Sequence, residues 1–241
     1  MNFVIGDIHG ELKKLKILIK YIQASDNSCK LIFVGDYLDK GNSSKLVLDY
    51  LLTLDESLDC VFLTGNHEFY WMKESLGSEN YLLKYGGKKT IKSFNSKSIN
   101  ETKKILKTKY EVFFNKLKPY YFTENYFICH SGFNPLNHDR EINDLPIEDF
   151  LFNRYKFIQS KILFKNKYKV IFGHTAFYTP YVDSYKIGID TGACFFKEQP
   201  LTAYCLEKEF FLNSNNIYTD LSRISDLTCP IIIRSNSWQK K

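Results

Sequence analysis

Five short apolar runs, at residues 2–5, 31–34, 60–64, 126–129 and 169–172, each end at a polar cluster: GDIHGE, GDYLDKG, GNHE, HSG and GHT. Runs this short, rich in Val, Ile and Phe, predict buried strands. Between the first two lies LKKLKILIKYIQ, and after the second SKLVLDYLLTL, both apolar at helical spacing. Strand, polar loop and helix in succession is the unit of an α/β sheet, in which ligands collect beyond the carboxyl ends of the strands. Residues 34–44, VGDYLDKGNSS, set two carboxylates, Asp36 and Asp39, beside Lys40 and two glycines. By itself this is an ordinary strand-to-helix turn, since Gly, Asp and Asn supply turn geometry wherever they stand.

The histidines change that reading. Four of the five in the chain, His9, His67, His130 and His174, fall at predicted strand ends beside Asp, Asn or Gly, and only His138 lies elsewhere. Packing does not account for four imidazoles in that context together with Asp7, Asp36 and Asn66. Carboxylates, imidazoles and an amide oxygen at one sheet edge describe a site for two divalent ions of borderline hardness such as manganese, iron or zinc. Two such ions can each hold a phosphate oxygen and share a hydroxide for in-line attack on phosphorus. Asp36 is then expected to bridge the ions, and Asp39 to belong to the acid–base machinery.

In this order and spacing, GDIHG, GDYLDKG, GNHE, HSG and GHT resemble the phosphoprotein phosphatase family of metallophosphoesterases, and more closely its short bacterial members. YGGKKTIKSF (85–94), FLFNRYKF (150–157) and IGIDTGACFFKEQPLTAYCLE (187–207) extend the likeness over roughly residues 1–207. The resemblance implies a calcineurin-like metallophosphoesterase fold of the α/β class, a central β-sandwich flanked by helices. It implies one metal on Asp7, His9 and Asp36 and a second on Asp36, Asn66, His130 and His174. His67 would protonate the leaving oxygen with Asp39 orienting it, and Arg154, Lys40 and Asn66 would contact the substrate phosphate. Lys40 departs from the family's usual arginine, so a forked donor becomes a point charge, which bears on phosphate affinity and not on the metals. HSG in place of the commoner His-Ala-Gly exchanges small for small.

The substrate expected from this likeness is a phosphorylated protein or peptide, phosphoserine or phosphothreonine first and phosphotyrosine as an extension. The alternative is a dinucleoside tetraphosphate, cleaved by relatives of the same fold. Asp39, and Glu68 after His67, favour the phosphoprotein, because the dinucleotide hydrolases usually lack the first and carry Asp for the second. A nucleic-acid-binding module is the rival from another class, but the lysines behind the net charge of +6 are spread without a recognised RNA-binding motif.

The 241 residues suffice for one large domain. We expect a catalytic domain at 1–210 with a Lys-rich helical insertion or cap at about 69–118, more helix over 140–168, and a C-terminal extension of unassigned role at 211–241. No apolar run approaches the ~20 residues that span a bilayer, and MNFVI is cut short by Asp7 and His9 before it could serve as a signal-peptide core. The six cysteines are scattered without a CxxC pair. A monomeric cytoplasmic enzyme with reduced cysteines, making no membrane contact, is the expectation.

Overall fold

The computed structural model describes residues 1–221, so the Ile-rich stretch CPIIIRSNSWQKK lies outside the described residues. The first half follows the predicted unit: β1 (Asn2–Ile5), α1 (Leu12–Ser25), β2 (Lys30–Phe33), α2 (Ser44–Ser57), β3 (Asp59–Phe62) and α3 (Asn66–Met72). Four further helices follow, α4 (Leu76–Lys84), α5 (Gly87–Ser93), α6 (Ile99–Lys109) and α7 (Glu111–Asn115). The second half runs β4 (Tyr120–Phe122), β5 (Tyr126–Cys129), α8 (Tyr155–Gln159), β6 (Lys169–Phe172), β7 (Tyr181–Val182), β8 (Lys186–Gly188), β9 (Thr202–Cys205), β10 (Phe210–Asn213) and β11 (Tyr218–Asp220).

These strands form two sheets, ordered β11-β10-β9-β1-β2-β3 and β4-β5-β6-β8-β7. Alternation along each strand explains why the sheets stack. In β1, Phe3 and Ile5 join the core beneath α1 and α2, whereas Val4 turns to the other side. There it meets Ile32, Ile128, Ile171 and Ile187, so a dry layer drawn from both sheets fills the sandwich. The helix α1 buries Leu15, Leu18, Ile19 and Ile22, the 3.6-residue stripe that predicts it. A third cluster joins Phe127 and Phe172 to Phe133, Phe150, Phe157 and Phe164 on the far side of the second sheet. The architecture is thus the expected α/β sandwich flanked by helices.

Within each sheet the three strands that matter most are parallel. β1 pairs with β2 and β2 with β3, while β5 pairs with β6 and β6 with β8. Their carboxyl ends all lead into the polar motifs, so the site is assembled from two parallel triplets facing one another.

The structure differs from expectation in three places. The insertion is helical, but Trp71, Leu82, Phe94, Ile99, Leu106 and Phe113 lie in the same core as α1, α2 and β1, so it is a wall of the domain and not a separate cap. Residues 140–168 hold two 3₁₀ turns, Ile142–Asp144 and Ile147–Phe150, and the five-residue α8 instead of long helices. Pro146 denies the chain a continuous helix, and the third cluster pulls Phe150, Phe157 and Phe164 inward one at a time. The boundary drawn at 210 falls inside a sheet, because β10 pairs with β9 and β11 with β10.

No helix among the described residues is long and apolar enough to cross a membrane. The five cysteines among them are free.

Candidate metal centre and acid–base pair

The ends of β1, β2 and β6 present candidate site residues through turns that ordinary side chains avoid. His9, Asp36, Asp39, Lys40 and His174 have φ of 45°, 53°, 67°, 58° and 63°, in the left-handed region where a non-glycine residue costs energy. The loops are over-determined by backbone bonds that hold them there. His9 N–H donates to Asp36 O (2.7 Å) and Gly41 N–H to His9 O (2.9 Å), tying the β1 and β2 loops together. Glu68, wholly buried, accepts from the N–H groups of Asp36 (2.8 Å), Tyr37 (3.0 Å), Leu38 (3.1 Å) and Gly65 (3.2 Å). Gly65 is obligatory, because a Cβ there would lie 2.2 Å from Asp36 Oδ1.

Asp36 stands at the centre of the result. Its Oδ2 faces His9 Nε2 at 3.2 Å and His67 Nε2 at 3.9 Å, and its Oδ1 faces His130 Nε2 at 3.5 Å. The donor atoms of His9, Asp36 and His67 lie within 4.8 Å of one another, and so do those of Asp36, His130 and His174. One carboxylate is therefore shared by two clusters, the juxtaposition a bridging ligand requires. Asp7 adds a buried carboxylate whose Oδ2 is 3.9 Å from His9 Nε2 and whose two oxygens accept from His174 N–H at 3.1 and 3.0 Å.

The imidazoles are set up as ligands by their second nitrogens. His9 Nδ1 donates to Leu38 O (2.8 Å) and His130 Nδ1 to Val34 O (3.0 Å), which leaves each Nε2 lone pair aimed into the site. His130 Nε2 then faces two other lone-pair atoms, Asn66 Oδ1 at 2.8 Å and His174 Nδ1 at 3.1 Å. Acceptors gathered head to head with no proton between them call for a cation. Burial keeps these rings neutral: it lowers His9 to about 4, with Lys40 as the next cause, and holds His130 and His174 below the usual imidazole value. Burial, and after it the neighbouring Asp190, pushes Asp7 well above the carboxylate range. A buried carboxyl raised in this way, the Asp36 carboxylate held low against its burial by the facing His130, His67 and His9, and imidazoles kept neutral are the donor set of a divalent-ion site, so the residues present fit two metals.

His67 is arranged differently. Its Nδ1 donates to Asp39 Oδ2 at 2.6 Å, and both side chains are nearly inaccessible. Asp39 Oδ1 in turn accepts from Trp71 Nε1 (3.0 Å) and from the Thr90 hydroxyl (2.6 Å). The geometric cluster includes His67, and the carboxylate on its other nitrogen fixes the orientation of a ring that could serve as a ligand or move a proton. Trp71 and Thr90 were not anticipated as site residues. The signal available was the YGGKKTIKSF segment itself: Gly86, at φ 108°, would place a Cβ 2.5 Å from Lys40 N, and this contact seats α5 against the Asp39 loop. Asp190, buried after β8, was likewise missed.

The phosphate-binding candidates divide. Arg154 is exposed, its Nη1 on His174 O (3.3 Å) and Thr175 Oγ1 (3.4 Å), which holds it at the rim of the second cluster. Lys40 Nζ instead reaches inward, 2.6 Å from His9 Nε2 and 5.3 Å from the Phe195 ring centroid. A lone pair serves one partner, so Lys40 competes with a metal ion for His9. Asn66 is used twice, its Oδ1 toward His130 and its Nδ2 donating to the Tyr81 hydroxyl at 2.5 Å.

The model of the calcineurin-like phosphoesterase family matches residues 3–215. The symmetrical bis(5′-nucleosyl)-tetraphosphatase of Pseudomonas syringae pv. tomato is 33% identical over 84 residues, 35% of this chain and 27% of that protein. An asymmetrical bis(5′-nucleosyl)-tetraphosphatase of Anoxybacillus flavithermus is 38% identical over 72 residues, 27% of this chain and 29% of that one. The matched stretches thus span less than a third of either relative. A cold-active protein-tyrosine phosphatase of a psychrophilic Shewanella superposes with a TM-score of 0.68 at 15% identity, covering 91% of this chain and 80% of the other. A putative diadenosine tetraphosphatase superposes with a TM-score of 0.58 at 19% identity, covering 88% and 91%. At these identities the two structures speak for the fold.

Proposed function

Because the chain belongs to the calcineurin-like phosphoesterase family, we propose that it hydrolyses phosphate esters or anhydrides at a two-metal centre, with bis(5′-nucleosyl) tetraphosphates as the substrate class. The observation that carries the two-metal reading is Asp36, whose two oxygens serve two separate clusters. Bound among these donors, two divalent ions, manganese in our reading with iron or zinc as alternatives, supply Lewis acidity and an activated water for in-line attack. The protein does the rest. Asp7, His9 and Asp36 hold one side and Asp36, Asn66, His130 and His174 the other. Arg154 steadies a phosphate at the rim, and His67, kept in orientation by Asp39, gives a proton to the departing oxygen.

The names of the curated relatives support the dinucleotide over the phosphoprotein favoured by the sequence motifs. Of the two residues behind that preference, Glu68 carries no weight, since its carboxylate is spent on four backbone N–H groups and does not face the cleft. Asp39 retains some. A carboxylate at 2.6 Å from His67 is most useful when the leaving oxygen is strongly basic, as in phosphoserine, and this supports phosphomonoester hydrolysis as the second reading.

Kinetics of the manganese-loaded protein on diadenosine tetraphosphate, a phosphoserine peptide and a phosphotyrosine peptide test the substrate class. We expect the highest kcat/KM for the dinucleotide; a phosphopeptide cleaved tenfold more efficiently would overturn it. Asp36→Asn should lower metal content at both sites together, and two full equivalents in that variant would contradict the bridging role.

A further inference from the structure

Beside His67 the mechanism leaves a row of rings unused. Tyr81 meets His67 edge to face with centroids 5.7 Å apart, and its hydroxyl accepts from Asn66. Tyr70 stacks on Tyr81 at 3.8 Å and 20°. Phe152 then packs on Tyr70 at 5.7 Å and on Phe69 at 5.9 Å. The inner rings are partly buried, whereas Phe152 is 37% exposed and stands two residues before Arg154. The row therefore starts at the group proposed to protonate the leaving oxygen and ends on a partly exposed ring two residues before the rim arginine.

We infer that this row is a stacking platform for the nucleobase of the leaving nucleotide, with Phe152 as its contact surface. The inference rests on the dinucleotide reading above and deepens it. The leaving group departs on the side of His67, so whatever it carries passes along Tyr81. An aryl ester places its ring one oxygen from phosphorus, next to Tyr81, whose face Tyr70 already covers. A nucleotide separates its base from the cleaved bond by further phosphate and a ribose, which carries the base outward to where the row opens. Exposed aromatic faces bind bases through their π-surfaces whatever the base, and the adjoining Arg154 suits the phosphates between.

Calorimetric titration of the manganese-loaded protein with ADP and with pyrophosphate separates base from phosphate without turnover. We expect ADP to bind more tightly than pyrophosphate, and Phe152→Ala to weaken ADP by about 5- to 150-fold, the range for loss of one base–aromatic stack, with pyrophosphate unmoved. Phe152→Tyr keeps the ring and should restore ADP affinity. The KM for diadenosine tetraphosphate should rise with the ADP dissociation constant while kcat moves less. Equal affinity for ADP and pyrophosphate, or unchanged ADP binding in Phe152→Ala, overturns the platform even if the dinucleotide is cleaved. ADP binding that depends on Phe152 in a protein that cleaves only phosphopeptides upholds the platform and overturns the substrate class instead.

Discussion

Asp39→Asn isolates the acid–base pair from the metals, because Asp39 touches His67, Trp71 and Thr90 and none of the clustered ligands except through His67. The new amide has two orientations. With its nitrogen in the Oδ1 position it would aim a donor at the buried Trp71 N–H, leaving unsatisfied groups that cost about 1–3 kcal/mol. With its nitrogen in the Oδ2 position it keeps the Trp71 and Thr90 bonds and faces His67 Nδ1 at the present 2.6 Å. The second is favoured, and it turns His67 Nδ1 from donor into acceptor. The imidazolium thereby loses a charge-assisted bond worth about 1.5–3 kcal/mol, which corresponds to roughly a 10- to 150-fold loss in proton delivery. The loss should fall on substrates in proportion to the basicity of the leaving oxygen. The assay is kcat for a phosphoserine peptide, diadenosine tetraphosphate and nitrophenyl phosphate side by side, with metal content measured on the same preparation. The phosphoserine peptide should lose most and the nitrophenyl ester least. Equal slowing of all three, or loss of a metal, would refute the assignment and make His67 a ligand.

Glu68→Gln replaces one of two acceptor oxygens that together bind four N–H groups, so two buried donors are left opposing an amide. We expect a loss of about 2–6 kcal/mol, read from denaturant unfolding, and an unchanged midpoint would mean the clamp is dispensable. Gly86→Ala combines a left-handed φ of 108° with a Cβ 2.5 Å from Lys40 N. The conformational term alone is ~1–2 kcal/mol, and the melting temperature should fall by at least about 3 °C; no fall would mean that α5 shifts freely. Metal binding should release protons, since burial and the neighbouring Asp190 hold the Asp7 carboxyl well above the usual carboxylate range. The ion requires the anion, so apparent affinity rises with pH, and His9, lowered to about 4 by burial, adds no proton of its own near neutral pH. Calorimetry in two buffers of different ionisation enthalpy measures this, and a heat independent of buffer would contradict it.

The motifs and the strands that carry them were legible because both are local. An apolar run of four residues followed by Gly-Asp or Gly-His declares a strand end without reference to anything distant, and histidines concentrated at such ends are rare enough to be noticed. Of the expected ligands, the two clusters and the neighbouring Asp7 bring together Asp7, His9, Asp36, His130 and His174, and the first cluster adds His67, which the motifs assign to proton transfer. What escaped the sequence depends on contacts between segments far apart along it. Nothing in Thr90 or Trp71 marks them as partners of Asp39, 51 and 32 residues away, and a Thr or Trp on a helix is ordinarily a packing residue. Glu68 reads as part of the GNHE motif, yet only the folded β2 loop shows that its carboxylate binds backbone and not substrate. The helix expected over 140–168 failed because helix formation there competes with the burial of widely spaced phenylalanines against β5 and β6, a competition that only the assembled sheet decides. Motif order determined that this chain gathers the histidines and aspartates of a calcineurin-like phosphoesterase at its strand ends. The tertiary structure decided which oxygen of Asp36 faces which cluster, and it laid a row of aromatic rings from His67 out to Phe152, because distances between segments are settled by packing and not by local sequence.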